Sequence, residues 1–116
     1  MSTNYIQEGK RITFTAPSGG VVSGGAYLMG GLLVVAEGDA DEGDNFVGNI
    51  EGVFELAKKT SDTMTVGAPI YWDNTNHWFT TTASAHYTQG TCIKAADSSA
   101  DTVVTKLFGY GVVVNP

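Results

Sequence analysis

Two histidines and one cysteine are the side chains of this 116-residue chain that could serve as a base, a nucleophile or a metal ligand near neutral pH. His77 follows a predicted turn, His86 lies in a polar loop, and Cys92 lies in a short strand-like run. Their spacing is not that of a zinc site, since neither a Cys-x-x-Cys pair nor a His-x3-His pair occurs. The Gly-x-Ser-x-Gly turn that presents a nucleophilic serine is also absent from the sequence. We therefore expect no enzymatic activity, no metal and no cofactor.

Cys92 is the single cysteine of the chain, so no internal disulfide can form. Its neighbours Thr91 and Ile93 are β-branched residues that favour a strand. A free cysteine usually behaves as a small buried apolar residue, and we expect that role for Cys92 rather than that of a reactive thiol.

Acidic residues are concentrated between Glu37 and Asp44, where the sequence reads Glu-Gly-Asp-Ala-Asp-Glu-Gly-Asp. An EF-hand calcium loop starting at Asp39 would need an oxygen ligand at position 43 and a glycine at position 44. The chain has Gly43 and Asp44 there, so the pattern fails. Two interpretations remain, a solvated loop, which we favour, and an adventitious cation site.

The net charge of −6 argues against nucleic acid as a partner. Binding to a phosphate backbone needs a contiguous basic surface, and no Lys or Arg occurs between Ile12 and Ala57. The glycines do not form a phosphate loop either, because the single Gly-Lys pair, Gly9-Lys10, is followed by Arg11 instead of Ser or Thr.

The composition is poor in charge, with 16% charged and 42% hydrophobic residues. Soluble domains average about 25% charged residues, and a surface with few charges is often covered by a partner. No apolar run approaches the roughly 18 residues of a membrane-spanning helix, and the polar N-terminus does not resemble a secretion signal. We expect the protein to be made and kept in a cytoplasm, or in an assembly built there, without a membrane partner.

Side chains alternate in type from Asn45 to Lys58, the stretch around which the rest of the chain is organised. The large apolar residues share one parity, as in a half-buried strand, and they are Phe46, Ile50, Phe54 and Leu56. At about 3.3 Å per residue, an unbroken strand of this length would exceed the width of so small a domain. We therefore expect the stretch to bend or divide, at Gly48 or at Gly52.

Shorter strands are predicted on both sides of this stretch. Arg11–Thr15 alternates and is predicted to be the first strand. Two apolar runs separated by Gly30-Gly31 predict a hairpin with a type I′ turn, which needs positive φ at both glycines. Three more strands are predicted over residues 90–96, 102–107 and 108–114. Since no segment carries a helical stripe, the predicted fold class is all-β.

Aromatic residues are concentrated in a second predicted hairpin, with a turn at residues 73–76. Its two faces do not separate cleanly, because the register depends on whether the loop holds four or five residues. We expect partial exposure of Tyr71, Trp72 and Trp78 and regard these residues as candidates for binding a partner. The alternative, a place in the core, is the commoner one for an aromatic pair.

Residues 1–10 are polar around Tyr5 and Ile6 and are predicted to be an extended arm, with residues 11–116 forming a single β domain. Tyr5 and Ile6 are an unusual apolar pair to leave in water. Together with Gln7 they are candidates for contact with a partner or a neighbouring subunit.

Five segments occur in an order and spacing that resemble a known family. The segments are Asn4–Gly24, Gly31–Ala36, Ile50–Lys58, Gly67–Asp73 and Gly90–Ala100. The most specific pieces are Glu-Gly-Val-Phe-Glu-Leu and Gly-Ala-Pro-Ile-Tyr-Trp-Asp. Together they resemble small proteins of tailed phages and prophages that are generally taken to be capsid cement, or head decoration, proteins. The resemblance covers about residues 4–107, and residues 108–116 extend beyond the usual end.

Members of this family have also been described as recombinases of the RecA/RadA type. This sequence does not support that activity, because it lacks the phosphate loop and is too short and too poor in helix for such a fold.

The resemblance implies a compact β-barrel or β-sandwich that binds the outside of an expanded icosahedral shell and bridges subunits of the major capsid protein. It further implies a location on the capsid exterior after synthesis in the host cytoplasm, and a homo-oligomer, with a trimer favoured and a dimer possible. The alternative function is a virion-borne domain that binds carbohydrate or a host surface through Tyr71, Trp72 and Trp78.

Overall fold

The computed structural model describes residues 9–116, and these residues form nine β-strands and no helix. The predicted all-β fold is confirmed. The strands are β1 (Arg11–Thr15), β2 (Ala26–Met29), β3 (Leu32–Ala36), β4 (Asn45–Asn49), β5 (Glu51–Ala57), β6 (Pro69–Asp73), β7 (Trp78–Thr80), β8 (Tyr87–Lys94) and β9 (Thr102–Phe108). The division into an arm of residues 1–10 and a domain of residues 11–116 stays a prediction, because residues 1–8 lie outside the described part.

The first sheet has four antiparallel strands in the order β1-β4-β3-β2. β1 has the predicted bounds, and its register places Phe14 opposite Phe46, with the two rings 5.9 Å apart between centroids. Val34, Phe46 and Ile50 are buried beneath this sheet with smaller neighbours. Alternation along β4 therefore separates a core face from a face in water, as the sequence predicts.

The second sheet has five antiparallel strands in the order β5-β9-β8-β6-β7 and curls into a half-barrel. Its two edges meet where Lys58, next after β5, forms a parallel bridge with Phe79 of β7. The larger core cluster fills the curl, and its bulkiest buried members are Trp72, Phe79, Leu33, Met64, Ile70 and Leu107. Because Leu33 belongs to the first sheet, the two sheets share this core.

The long central stretch divides at Ile50, so that β4 belongs to the first sheet and β5 to the second. The predicted division is confirmed, but its position differs from the prediction, because the break lies at Ile50, between Gly48 and Gly52. Gly52, the second residue of β5, has a φ of +128°, which residues with a side chain rarely adopt. Gly48 has a different role, because a Cβ there would lie 3.1–3.2 Å from Val34 and Phe14. It allows close packing within the first sheet.

The glycine hairpin is present, with Gly30-Gly31 between β2 and β3. The predicted type I′ turn is wrong, since Gly30 has a φ of +67° and Gly31 does not have positive φ. Positive φ at the first central residue is the type II′ pattern. Gly31 is needed for another reason, because a Cβ there would overlap the carbonyl oxygen of Val112.

Replacement of Gly30 by valine is expected to lower the free energy of unfolding by more than about 1 kcal/mol, because a β-branched residue would be forced to positive φ. Thermal and urea unfolding measure the change. Gly38→Val is the matched control, since a Cβ at Gly38 meets no atom within 4 Å and its φ is not positive. If Gly30→Val and Gly38→Val were equally stable, the turn would not strain a side chain at position 30.

The C-terminal segment differs from its prediction. β9 continues to Phe108, and residues 109–116 form an extended tail without strand pairing, so the predicted strand over residues 108–114 is wrong. Gly109, with a φ of +81°, turns the chain out of the sheet. β8 begins at Tyr87, three residues before the predicted start at Gly90, because the ladder with β6 continues past a bulge.

Candidate functional site

The aromatic hairpin of β6 and β7 was the main candidate surface outside the arm. Its loop holds four residues, 74–77, and its register pairs Trp72 with Phe79 and Asp73 with Trp78. Trp72 is 2% exposed, and its ring meets Phe79 edge to face at 5.2 Å. The expected exposure of Trp72 is therefore wrong. The indole N–H of Trp72 donates a hydrogen bond to Asn74 Oδ1 at 3.2 Å, so Trp72 stabilises the hairpin loop from the core side.

Tyr71 and Trp78 lie on the opposite face of the same hairpin and are half-buried. The register explains this, because Tyr71 and Trp78 alternate with the inward side chains of Ile70, Trp72 and Phe79. The indole N–H of Trp78 is buried and has no hydrogen-bond partner among the described residues. The structure thus leaves two of the three predicted rings, Tyr71 and Trp78, in partial contact with solvent.

The other predicted contact residues, Tyr5, Ile6 and Gln7, lie outside the described residues 9–116. Their role stays a prediction. The chain enters the described part beside the first sheet, where the carbonyl of Lys10 accepts a hydrogen bond from the Ile50 N–H at 3.0 Å.

The residues that could perform chemistry have structural partners. His86 Nδ1 lies 4.0 Å from Asp73 Oδ1, while the Asp73 carboxylate accepts bonds from the backbone N–H groups of Thr75 and Asn76 at 2.9 and 3.1 Å. The Asn76 side chain donates to the other carboxylate oxygen at 2.8 Å. Asp73 therefore holds the hairpin loop in place. His77 is exposed at the end of this loop, and its ring lies 6.2 Å from that of Trp72.

Two pKa shifts agree with these structural roles. Burial would raise the pKa of Asp73, but the hydrogen bonds from Asn76 and Thr75 outweigh it and hold that pKa below its usual value. Burial raises the pKa of the Cys92 thiol, whose Sγ lies 3.2 Å from the carbonyl oxygen of Lys94. Cys92 is fully buried, as predicted.

The acidic loop uses several of its carboxylates to hold the first sheet together. Glu37 forms a two-pronged ion pair with Arg11, in which the Arg11 Nη2 to Glu37 Oε1 distance is 2.8 Å. Hydrogen bonding by Arg11 lowers the pKa of Glu37. Asp39 accepts from the Ser23 N–H at 2.8 Å, and Glu42 accepts from the Gly19 N–H at 3.3 Å. Within residues 9–116 no group of three acidic, histidine or cysteine side chains is arranged to hold a metal ion.

Two clefts lie between the hairpin loop and the first sheet, and both are lined by Tyr27 and His77. One, of about 390 Å³, extends to Glu55 and Leu56 on β5. The other, of about 430 Å³, extends toward the loop that contains Pro17. Both are open to solvent, and Glu55 is the one Asp, Glu, Lys or Arg side chain that lines either of them.

Lys58 is a residue whose role sequence reasoning missed. It is 1% exposed, and its ammonium donates to the carbonyl oxygens of Lys59, Thr60 and Ala100 at 2.8, 3.3 and 3.1 Å. The ammonium thereby ties the segment after β5 to the turn before β9, next to the place where backbone pairing with Phe79 joins the two edges of the half-barrel. A signal was present, since Lys58 shares its parity with the apolar residues Phe54 and Leu56.

Comparison with known proteins gives a family for this β domain. The family of phage cement proteins matches residues 6–107, which contain all nine strands except the last residue of β9. No curated protein matches the chain. No solved structure matches it either. In the part of the chain that the structure describes there is also no helix that could cross a membrane. Since the match covers most of the chain and its two sheets, the protein belongs to the phage cement protein family.

Proposed function

We propose that this protein binds the outer surface of an expanded phage head and stabilises it by bridging neighbouring subunits of the major capsid protein. The observation that carries the proposal is the family match over residues 6–107. A protein that binds only the expanded shell stabilises that state by mass action, without any chemical step. Many copies on one lattice add avidity, so each contact can be weak.

The surfaces that we assign to capsid binding are the N-terminal arm, with Tyr5, Ile6 and Gln7, and the outer face of the hairpin, with Tyr71 and Trp78. Trp72 supports that face from the core. Its burial removes it from direct contact with either a capsid or a carbohydrate. Copies of the chain form a closed homo-oligomer, with a trimer favoured over a dimer, since closed symmetry is the usual form of such assemblies.

Deletion of Met1–Gln7 is expected to weaken binding to the capsid at least about tenfold, or about 1.4 kcal/mol. Ordering the arm costs roughly 1–2 kcal/mol of backbone entropy per residue, so the arm must gain contacts that exceed this cost when it docks. Titration of full-length and truncated protein onto undecorated expanded capsids measures the change. The melting temperature of the free protein should stay nearly the same, because the sheets begin at Arg11.

The control keeps the arm at full length. Tyr5→Ser with Ile6→Ser should reproduce most of the loss, whereas Ser2→Ala with Thr3→Ala should bind like the unmodified protein. If the unmodified protein, the truncated protein and the two double variants all gave equal occupancy curves, the arm would have no part in capsid binding. The binding would then be assigned to the hairpin. Failure of the full-length protein to bind expanded capsids at all would overturn the proposed function.

A further inference from the structure

Three segments meet at one end of the molecule, which we call the uncharged end: residues 27–33, 81–89 and 108–116. The tail joins the other two by backbone hydrogen bonds. The Val112 N–H donates to the Gly31 carbonyl at 2.9 Å, and the Asn115 N–H donates to the His86 carbonyl at 2.9 Å. The Asn115 side chain also donates to Thr88 Oγ1 at 3.0 Å. These contacts make one continuous surface from three separate parts of the chain.

The uncharged end contains no Asp, Glu, Lys or Arg in any of its three segments, although the chain has a net charge of −6. Three acidic side chains lie at its borders: Glu51 beside Gly109, the buried Asp73 beside His86, and Asp62, which accepts a hydrogen bond from the Thr81 N–H at 3.0 Å. Much of the acidity lies elsewhere, in the loop from Glu37 to Asp44 on the first sheet. The protein therefore has one end where an approaching acidic molecule meets little repulsion.

The same end exposes apolar side chains. Tyr110 is 58% exposed and Val113 is 84% exposed, and Val114 is also in contact with solvent. They are held in place, because buried Gln89 donates through its side-chain amide to the carbonyl oxygens of Gly31 and Tyr110. The Tyr110 ring also stacks on Phe108 at 5.6 Å. A tail fixed in this way loses little conformational entropy when a partner covers it.

We propose that the uncharged end is the surface through which one copy of this chain contacts another. Two copies that each carry a net charge of −6 repel each other through their acidic surfaces, so they meet at the lowest cost where both are uncharged. The cores of protein interfaces are depleted of charge and rich in aromatic and apolar residues, as this surface is. The inference rests on the homo-oligomer of the proposed function and names its contact surface. Residues 27–33 and 81–89 lie inside the part that matches the family, and the tail extends this surface beyond residue 107.

The test is Val113→Asp in the full-length chain, followed by sedimentation over a wide range of protein concentration. A carboxylate at this position would place like charges opposite each other in the contact, and we expect self-association to weaken at least tenfold. Val66→Asp is the matched control, because Val66 is 66% exposed outside the three segments and the charge change is the same. Neither Val113 nor Val66 contributes its side chain to the core, so both variants should have the same melting temperature as the unmodified protein.

Two outcomes overturn the inference. One is equal self-association of the two variants, and the other is an unmodified protein that stays monomeric at the highest concentration. Capsid titration of the same proteins separates this result from the proposed function. If Val113→Asp loses capsid binding but associates like Val66→Asp, the uncharged end faces the shell and the contact between copies is refuted. If the unmodified protein self-associates but does not bind capsids, the proposed function fails while the contact stands.

Discussion

Replacement of Lys58 by methionine is expected to lower the free energy of unfolding by about 3 kcal/mol, because the change removes the shared donor of three carbonyl groups in a partly buried site. Methionine keeps the apolar stem of the side chain and fills similar space, so lost packing contributes little. In the unmodified protein the carbonyl groups of Lys59, Thr60 and Ala100 all accept hydrogen bonds from the Lys58 ammonium. Each buried acceptor that loses its partner costs about 1–3 kcal/mol, less where water can enter. Urea unfolding followed by tryptophan fluorescence measures the change.

Lys59→Met is the matched control for this prediction. Lys59 is the next residue along the chain and is half-buried, and its backbone N–H donates to the Phe79 carbonyl at 2.9 Å, a bond that the substitution keeps. We expect Lys59→Met to cost less than about 1 kcal/mol, the usual range for a charge in contact with solvent. Equal losses of stability in the two variants would mean that the hydrogen bonds of the Lys58 ammonium contribute no more than the side chain of Lys59.

The strands could be predicted from the sequence because side-chain alternation is a local signal. β1 has the predicted bounds, and the division of the stretch from Asn45 to Lys58 follows from its length, although the break lies at Ile50 and not at a glycine. The Gly30-Gly31 hairpin was found from the same kind of local pattern. The type of its turn could not be predicted in the same way. The glycine at position 31 is required by close contact with Val112, which is far away in the sequence.

The candidate surfaces could be predicted only in part, because exposure depends on how elements pack. The parity of Trp72 places it on the core face only if the hairpin loop holds four residues, and the sequence leaves that length open. Tyr110 and Val113 resemble strand residues in the sequence, yet they lie on a tail that a buried glutamine holds. The sequence around Gln89 does not indicate that its side-chain amide holds the tail, because the partners of this amide come from two distant segments.

Gly90 is expected to show the second large effect on stability. It lies in the middle of β8, and a Cβ there would overlap the hydroxyl oxygen of Thr105 and lie 3.2 Å from the ring of Phe79 and 3.3 Å from Ile70. All three neighbours are fully buried and cannot move into water. Since extra methyl groups in a packed core cost about 1–3 kcal/mol, Gly90→Ala should cost about 2 kcal/mol. Gly38→Ala, with open space around its Cβ, should cost almost nothing.

A double-mutant cycle with Thr105 tests whether this overlap is the cause. Thr105→Ala removes the hydroxyl that Gly90→Ala would strike, along with its hydrogen bond to the Thr91 carbonyl at 3.1 Å, and should cost about 1 kcal/mol by itself. In the Thr105→Ala background the added methyl group has room, so the double variant should lose at least about 1 kcal/mol less than the sum of the two single losses. Equilibrium unfolding of all four proteins gives the coupling energy. Strict additivity would mean that the close contacts with Phe79 and Ile70, and not overlap with the Thr105 hydroxyl, set the cost of Gly90→Ala.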